Sequence, residues 1–339
     1  MADAPKTVQA LAVIYLRNQR RFMTTLVTGA NGFIGSSLCN RLESKGLKVR
    51  KTLRSQVPAL YNDAIFSISE ITDKTNWTSA LNNVNIVIHL AARVHVMSDT
   101  SADPLQAFRR VNVDATLNLA RQAAAMGVKR FIFLSSIKVN GEATIPGQGF
   151  YADDRPAPED AYGISKYEAE QALLSLAKET GMEVVIIRPP LVYGPGVKAN
   201  FASMMRWLER GFPLPLAAVT HNRRSLVSLD NLVDLIVTCL DHPAAANQIF
   251  LVSDGEDMST AELLKRMGMA QGTPARLFYL PLPLLKWGAI LLNKPGIYQR
   301  LCGSLQVDIT KTQELLGWRP PISVDEGLRR AAQKSKGYK

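Results

Sequence analysis

The chain has 339 residues, 47% of them hydrophobic and 20% charged, with 40 basic against 29 acidic side chains and a net charge of +11. That length exceeds one typical domain and the apolar fraction is ample for a packed core, which excludes a disordered chain or a small disulfide-stapled scaffold. The positive balance points to anionic partners, but no basic run is interleaved with aromatics, so nucleic acid is not the expected one.

Cys39, Cys239 and Cys302 are odd in number and widely spaced, which fits a reduced, cytoplasmic protein rather than a disulfide framework. His89, His95, His221 and His242 lack metal-ligand spacing and have no Cys or carboxylate cluster beside them. No metal is expected.

Residues 1–22 stand apart from the rest of the chain. Val8–Leu16 is apolar but too short to span a bilayer, and Arg17, Arg20 and Arg21 come after the run instead of preceding it as in a signal peptide. Met23 reads as the natural start, with residues 1–22 an extension or a flexible basic arm. No later segment reaches transmembrane length without interruption.

From Thr24 onward short apolar runs alternate with helical patterns, the mark of a parallel sheet covered by helices. Thr24–Thr28 reads as strand one, and a helix begins near Gly32 with Phe33, Ile34, Leu38 and Leu42 inward. Leu47–Leu53, Ala64–Ile68 and Asn85–Ala92 read as strands two to four. A long helix comes next, from about Pro104 to Met126, opened by an early proline and stopped by Gly127. Phe131–Leu134 is strand five, ending at Ser135-Ser136. A helix carrying Tyr162 runs to about Thr180 and stops at Gly181. Val184–Ile187 is strand six.

After Pro189-Pro190 the rhythm changes: Pro and Gly become frequent, strands shorten, and helices such as Phe201–Arg210 stand alone. Ser259-Thr260-Ala261-Glu262 is a capping box opening another helix. The expected fold is α/β, a Rossmann-type doubly wound parallel sheet over residues 23–188, with a smaller mixed α/β substrate lobe over 189–330 and a tail at 331–339. Leu277–Leu292 is apolar but interrupted by Pro281, Pro283 and Lys286. It reads as a core helix of the second lobe in preference to a membrane-surface patch, leaving room for no more than a weak association with a membrane surface.

Two motifs carry chemistry. Gly29, Gly32 and Gly35 lie between a strand and a helix, where a glycine turn lets the backbone approach a pyrophosphate whose charge sits at the helix N-terminus. Tyr162 and Lys166 are four apart and share a helix face. A free tyrosine titrates near pH ~10, and a neighbouring ammonium is expected to lower that value toward the range of a general base.

The glycine triplet, Ser136, the Tyr162/Lys166 pair and the run Arg188–Pro195 together resemble the extended short-chain dehydrogenase/reductase family, the NAD-dependent epimerase/dehydratase group. The resemblance spans roughly Met23 to Leu328. The runs His89–Met97 and Ser135–Gly141 look most like bacterial surface-polysaccharide (lipopolysaccharide, O-antigen) enzymes that are UDP-sugar 4-epimerases or 4-keto-reductases. It implies that Ser136 binds the sugar C4 oxygen, that Tyr162 exchanges its proton, and that Lys166 holds the nicotinamide ribose. It also implies a cofactor cleft formed by Gly29, Asn31, Gly32, Phe33, Ile34, Gly35, Arg54, Glu70, Ile71, Ala91, Ala92 and Asn112, besides Tyr162 and Lys166. Arg93, Ser136, Lys138, Asn200 and Arg224 are implied to hold a UDP-sugar substrate. A homodimer through the helices near 104–126 and 159–180 is implied as well.

Departures from the pattern narrow the chemistry. The 4,6-dehydratases of the group carry an acid pair after the catalytic hydroxyl; Ile137 and Lys138 stand there, so elimination of water has no acid or base. Asn140 replaces a usual tyrosine, and Leu191 stands where hexose epimerases commonly carry an asparagine. Strand two ends Arg50-Lys51-Thr52-Leu53-Arg54 with no acid for a ribose 2′-hydroxyl. That tilts the cofactor from NAD(H) toward NADP(H), with Arg54 on the 2′-phosphate. The first expectation is therefore reduction of a UDP-4-keto-6-deoxy-N-acetyl-hexosamine. The alternative is a UDP-glucose or UDP-N-acetylglucosamine 4-epimerase with bound NAD. A redox-sensing regulator that kept only the fold is disfavoured by the intact Ser136, Tyr162 and Lys166. Whether the sugar carrier is UDP or a lipid diphosphate stays open.

Overall fold

The computed structural model describes residues 23–54, 64–94, 103–291 and 295–335. The N-terminal arm, His95–Met97 and the last residues of the tail lie outside these. The chain divides into two compact units. The first runs to Leu134 and includes Glu168–Ile186; the second comprises Ser135–Tyr167 and the chain from Ile187 on. Strand counting alone places Ser135–Tyr167 in the nucleotide-binding part, whereas by packing it clusters with the second unit.

The chain alternates strand and helix as the apolar pattern requires: β1 (Thr24–Thr28), α1 (Phe33–Ser44), β2 (Lys48–Arg54), β3 (Ile65–Ile68) and β4 (Ile86–His89). A seven-stranded sheet has the order β3-β2-β1-β4-β5-β6-β9, with β5 at Arg130–Leu134, β6 at Glu183–Arg188 and β9 at Gln248–Leu251. The β3-β2-β1-β4-β5 portion is parallel throughout. Strand order reverses at β1/β4, the switch point where doubly wound sheets open a crevice beyond the strand ends. All four residues of β4 are buried, as expected of a strand covered by helices on both faces.

The helix expected over 104–126 is present in three parts: α2 (Pro104–Arg109), a π-helical turn at Arg110–Asp114, and α3 (Ala115–Ala125). Pro104 sits in its first turn and Asp103 accepts the Gln106 N–H, a cap that satisfies an otherwise orphaned donor. Tyr162 and Lys166 lie on α4 (Ala161–Thr180), which ends at Gly181 in the left-handed region.

In the second unit, β7 (Leu191–Tyr193) pairs parallel with β8 (Arg224–Ser228), which pairs antiparallel with β10 (Asp257–Met258), giving a small mixed sheet. Helices α5 (Ala199–Glu209) and α7 (Thr260–Gln271) agree with the expected pattern, α6 (Leu229–Thr238) comes between them in the chain, and Ser259 Oγ caps α7 through the Glu262 N–H. Tyr193, Phe201, Met205, Leu226, Met258 and Leu264 form the centre of this unit's core. Helix α8 (Leu282–Leu291) departs from expectation: it contains no fully buried residue, so the helical part of the Leu277–Leu292 run is not a core helix. Helix α9 (Pro295–Cys302) comes next, then α10 (Thr310–Leu316) and α11 (Val324–Ser335). No helix among the described residues is long and apolar enough to cross a membrane.

Candidate active site

In the first unit the site begins where β1 ends. Gly29 takes φ +68° and its carbonyl accepts the Gly32 N–H at 2.9 Å, folding the chain tightly into α1. A Cβ on Gly35 would sit 2.1 Å from the Gly29 carbonyl oxygen, and one on Gly29 would meet the Ala91 nitrogen at 3.0 Å. Only glycine permits this turn, so the residues fit a cradle into which a pyrophosphate can approach backbone N–H groups. Asn31 is exposed on the turn, and Phe33 and Ile34 are half-buried in the first turn of α1.

A second device holds the facing wall. His89, at the end of β4, is buried and hydrogen-bonds Thr28 Oγ1 through Nδ1 at 2.7 Å and Thr116 Oγ1 through Nε2 at 2.9 Å. Thr28 Oγ1 also accepts the backbone N–H groups of Leu90 and Ala91, each at 3.2 Å. Buried polar groups so fully engaged fix their surroundings, and here they lock the glycine turn to the Leu90–Ala92 segment. The motifs alone do not mark Thr28, His89 and Thr116 as part of the site. The available signal is a histidine at the end of a buried strand, directly before the Leu90-Ala91-Ala92 run.

Asn112 lies in the π-helical turn, and its side chain clamps the backbone of Arg93: Oδ1 accepts the Arg93 N–H at 2.9 Å and Nδ2 donates to the Arg93 carbonyl at 3.1 Å. The Arg93 guanidinium lies 5.5 Å from the Phe108 ring centre, a cation–π geometry. Glu70 and Ile71 lie just after β3, the former exposed and the latter half-buried.

At the end of β2 the three bases have different fates. Arg50 donates to the carbonyls of Ala80 and Asn82 at 2.7 and 2.8 Å, and Lys51 pairs with Glu43 at 2.7 Å. Arg54 is exposed at the last position of the strand.

The second unit holds the hydroxyl pair. Ser136 caps the short turn Ile137–Val139, its Oγ accepting the Lys138 N–H at 3.3 Å, and its side chain hydrogen-bonds that of Tyr162. Lys166 is 2% exposed one turn further along α4. Burial pushes the Tyr162 phenol up to about 12; the Ser136 hydrogen bond pulls the other way and the Asp160 carboxylate adds to the rise. The net direction is upward, opposite to that expected from Lys166 alone.

The start of α4 is fixed by charged groups that the motifs do not reveal. Asp160 Oδ1 accepts the Gly163 N–H at 2.7 Å, an N-cap. Its Oδ2 accepts from Lys138 Nζ at 2.6 Å, and Glu142 accepts from the same ammonium at 2.7 Å. Burial works against the Lys138 ammonium, but its bonds to Asp160 and Glu142 hold its pKa above the ordinary lysine value. A Cβ on Gly163 would fall 2.8 Å from the Lys138 carbonyl oxygen, so the first turn of α4 presses directly on the turn after Ser136. Asp160 is findable from sequence, being a capping residue immediately before a helix.

Arg188, 1% exposed, donates to Asn140 Oδ1 at 3.0 Å, and Asn140 Nδ2 donates to the Tyr151 carbonyl at 2.9 Å. Arg224 is not a surface charge: it donates to the carbonyls of Arg300 and Gly303 at 3.0 and 3.1 Å, and burial lowers its pKa. Leu191 is exposed on β7. Asn200 belongs to α5, and its side chain lies outside the described residues. No group of three or more His, Cys, Asp or Glu among the described residues could hold a metal ion.

A UDP-glucose 4-epimerase of Vibrio cholerae is 51% identical over 308 residues, which cover 91% of this chain and 94% of that protein. Two crystal structures share the fold. The UDP-glucose 4-epimerase of Thermotoga maritima with UDP-glucose matches at TM-score 0.73 and 23% identity, covering 93% of this chain and 99% of that one. The UDP-glucuronic acid 4-epimerase of Bacillus cereus in complex with NAD matches at TM-score 0.74 and 22% identity, covering 94% and 100%. The model of the NAD dependent epimerase/dehydratase family matches residues 25–253, the stretch that carries the glycine turn, the hydroxyl pair and Lys166. On that match and on the geometry of these elements, this chain is an enzyme of the NAD-dependent epimerase/dehydratase family, with the extended short-chain dehydrogenase/reductase fold.

Proposed function

We propose that the chain is a UDP-hexose 4-epimerase acting on UDP-glucose or UDP-N-acetylglucosamine with tightly held NAD. The observation that carries this reading is the 51% identity, across nearly all of both chains, to the Vibrio cholerae UDP-glucose 4-epimerase. It reverses the order expected from sequence, which places a 4-keto-reductase first because of the basic end of β2. Two of those three bases serve other purposes: Arg50 binds carbonyls and Lys51 pairs with Glu43. The physical case for a 2′-phosphate therefore rests on Arg54 alone.

The cradle at Gly29, Gly32 and Gly35 holds the cofactor pyrophosphate at the N-terminus of α1. NAD held there would supply reversible hydride chemistry at the sugar C4. Tyr162 moves the proton at the C4 oxygen: as the phenolate, the form that the Lys166 ammonium favours against burial, it takes that proton as the C4–H bond breaks, and as the phenol it gives it back when the alcohol re-forms. Ser136, already bonded to Tyr162, donates a hydrogen bond to the same oxygen and stabilises charge developing there. Lys166 binds the ribose hydroxyls. Lys138, Asp160 and Glu142 are positioning residues that hold the start of α4. With Ile137 and Lys138 in place of an acid pair, and Lys138 tied to two carboxylates, nothing supports elimination of water. A homodimer through α2, α3 and α4 belongs to this reading.

The test is to incubate the purified protein, with no cofactor added, with UDP-glucose and separately with UDP-N-acetylglucosamine, following the anomeric protons by NMR. Appearance of the galacto epimer is expected. No epimer from either sugar, together with stoichiometric loss of NADPH absorbance at 340 nm on UDP-4-keto-6-deoxy-N-acetylglucosamine, returns the assignment to a reductase.

A further inference from the structure

Helix α8 has the sequence Leu282-Pro283-Leu284-Leu285-Lys286-Trp287-Gly288-Ala289-Ile290-Leu291. A helix apolar around its whole circumference belongs in a core, yet none of its residues is fully buried. Leu282 and Leu285 pack against the core of the second unit. Leu284, Trp287 and Leu291, spaced three and four apart and so aligned on one face, are 56%, 75% and 87% exposed. Ile290 in the same helix is 59% exposed, and Tyr279 just before it is 72% exposed. Isolated exposed apolar side chains are ordinary, but a continuous group of this size marks a contact surface.

Charge says what the surface meets. Between Glu262 and Asp308 the sequence contains no Asp or Glu, while Lys265, Arg266, Arg276, Lys286, Lys294 and Arg300 lie in that interval. Arg266 is held by Glu256, Glu262 and Asp325, but Arg276, Lys286 and Arg300 are exposed around α8 and α9. A second copy of the chain stacked on this face would set those cations against one another with no acid from this segment between them. An anionic lipid surface meets both properties: it takes up the apolar ridge, favours tryptophan at the headgroup level, and attracts the cations.

We propose that the face formed by α8 and its flanks docks on an anionic phospholipid bilayer, so that the protein works as a peripheral membrane protein. This is independent of which sugar reaction it catalyses. The test is flotation of the full-length protein with large unilamellar vesicles of phosphatidylglycerol and phosphatidylethanolamine, and in parallel with vesicles of phosphatidylcholine alone. Wild type is expected to partition onto the anionic vesicles at least about ten-fold more strongly than onto the neutral ones. Trp287→Ser combined with Leu291→Ser, whose melting curve should match wild type because both side chains are exposed, is expected to lose that binding. Arg276→Glu with Lys286→Glu keeps the apolar ridge and should weaken binding at least roughly twenty-five-fold, about five-fold for each cation removed. Absence of flotation by wild type overturns the proposal, and so does flotation of both double variants at the wild-type level, which would place the lipid contact elsewhere in the chain. A wild-type dimer that becomes monomeric in the Trp287→Ser/Leu291→Ser variant by sedimentation equilibrium, without lipid binding, assigns the face to a second copy and overturns it too.

Discussion

Gly163 offers the most direct test of how the site is assembled. It is the third residue of α4, one after Tyr162, and a Cβ there would lie 2.8 Å from the Lys138 carbonyl oxygen and 3.2 Å from Asp160 Oδ1. The carbonyl is backbone and cannot swing away. Restoring ordinary contact at 3.4 Å requires about 0.6 Å of separation between the first turn of α4 and the turn after Ser136. Alanine is the better helix former by about 1 kcal/mol, while overpacking typically costs about 1–3 kcal/mol. Gly163→Ala should therefore destabilise the fold by no more than about 2 kcal/mol. The same displacement separates Tyr162 from Ser136, and misplacing catalytic groups by about 1 Å costs on the order of a hundred-fold in rate. Turnover should fall by roughly ten- to a hundred-fold, with the melting temperature lowered by only a few degrees. Progress curves on the UDP-sugar and a thermal melt of the same preparation measure both. Activity within two-fold of wild type would refute the reasoning, because the close approach would then not be what sets the pair.

Tyr162→Phe should lower turnover by about 10²–10⁴-fold while isothermal titration shows UDP binding unchanged. The same substitution should flatten the alkaline limb of the stability profile. The phenol titrates near ~10 when unfolded and near about 12 when folded, so its contribution is complete below pH ~10 and is lost as pH rises toward 12, up to about 3 kcal/mol, as read by urea unfolding at stepped pH. Tyr193 donates to Asp254 Oδ2 at 2.8 Å in the core of the second unit; Tyr193→Phe should cost about 1–3 kcal/mol by leaving that buried carboxylate oxygen without its donor, measured by the same denaturation. Arg54→Ala should leave NAD(H) affinity unchanged if NAD is the resident cofactor; a selective loss of NADPH binding of about ten- to a hundred-fold would restore the case for a reductase.

The fold is legible in the sequence because its signals are periodic and local. Buried four- to six-residue apolar runs give strands, and Pro104, Gly127, Ser259 and Gly181 punctuate helices where sequence rules place them. The glycine turn and the Ser136–Tyr162 pair are also legible, since each is a short motif on an element of known period. What is not legible depends on partners far apart in the chain. His89 reads as a lone histidine until the sheet register sets it opposite Thr28 and a hydrogen bond ties it to Thr116. Lys138 reads as a departure from an acid pair, and only the folded chain shows its ammonium closing on Asp160 and Glu142. Leu277–Leu292 misleads for the opposite reason: its composition is that of a core helix, and composition does not say whether a second layer exists to cover it.

The end of β2 shows how a count of charges in sequence overstates a cofactor signal. Three bases and no acid over Arg50–Arg54 look like a field prepared for a 2′-phosphate, if every side chain of a strand end is counted as facing the cofactor. Strand geometry forbids that count, because successive residues point to opposite faces. Long basic side chains also carry their charge several ångströms from the backbone. Arg50 spends its guanidinium on the Ala80 and Asn82 carbonyls, flanking the end of the helical turn Thr78–Leu81, and Lys51 reaches back to Glu43 on α1. Both charges thus belong to the packing of helices against the sheet. One exposed arginine at the strand terminus is a weaker signal than three, and the absence of an acid does not by itself select a phosphate. With that argument reduced, the chemistry of Ser136 and Tyr162 stands equally well for both reactions, and likeness to an epimerase over nine-tenths of the chain is the ground for proposing epimerisation ahead of reduction.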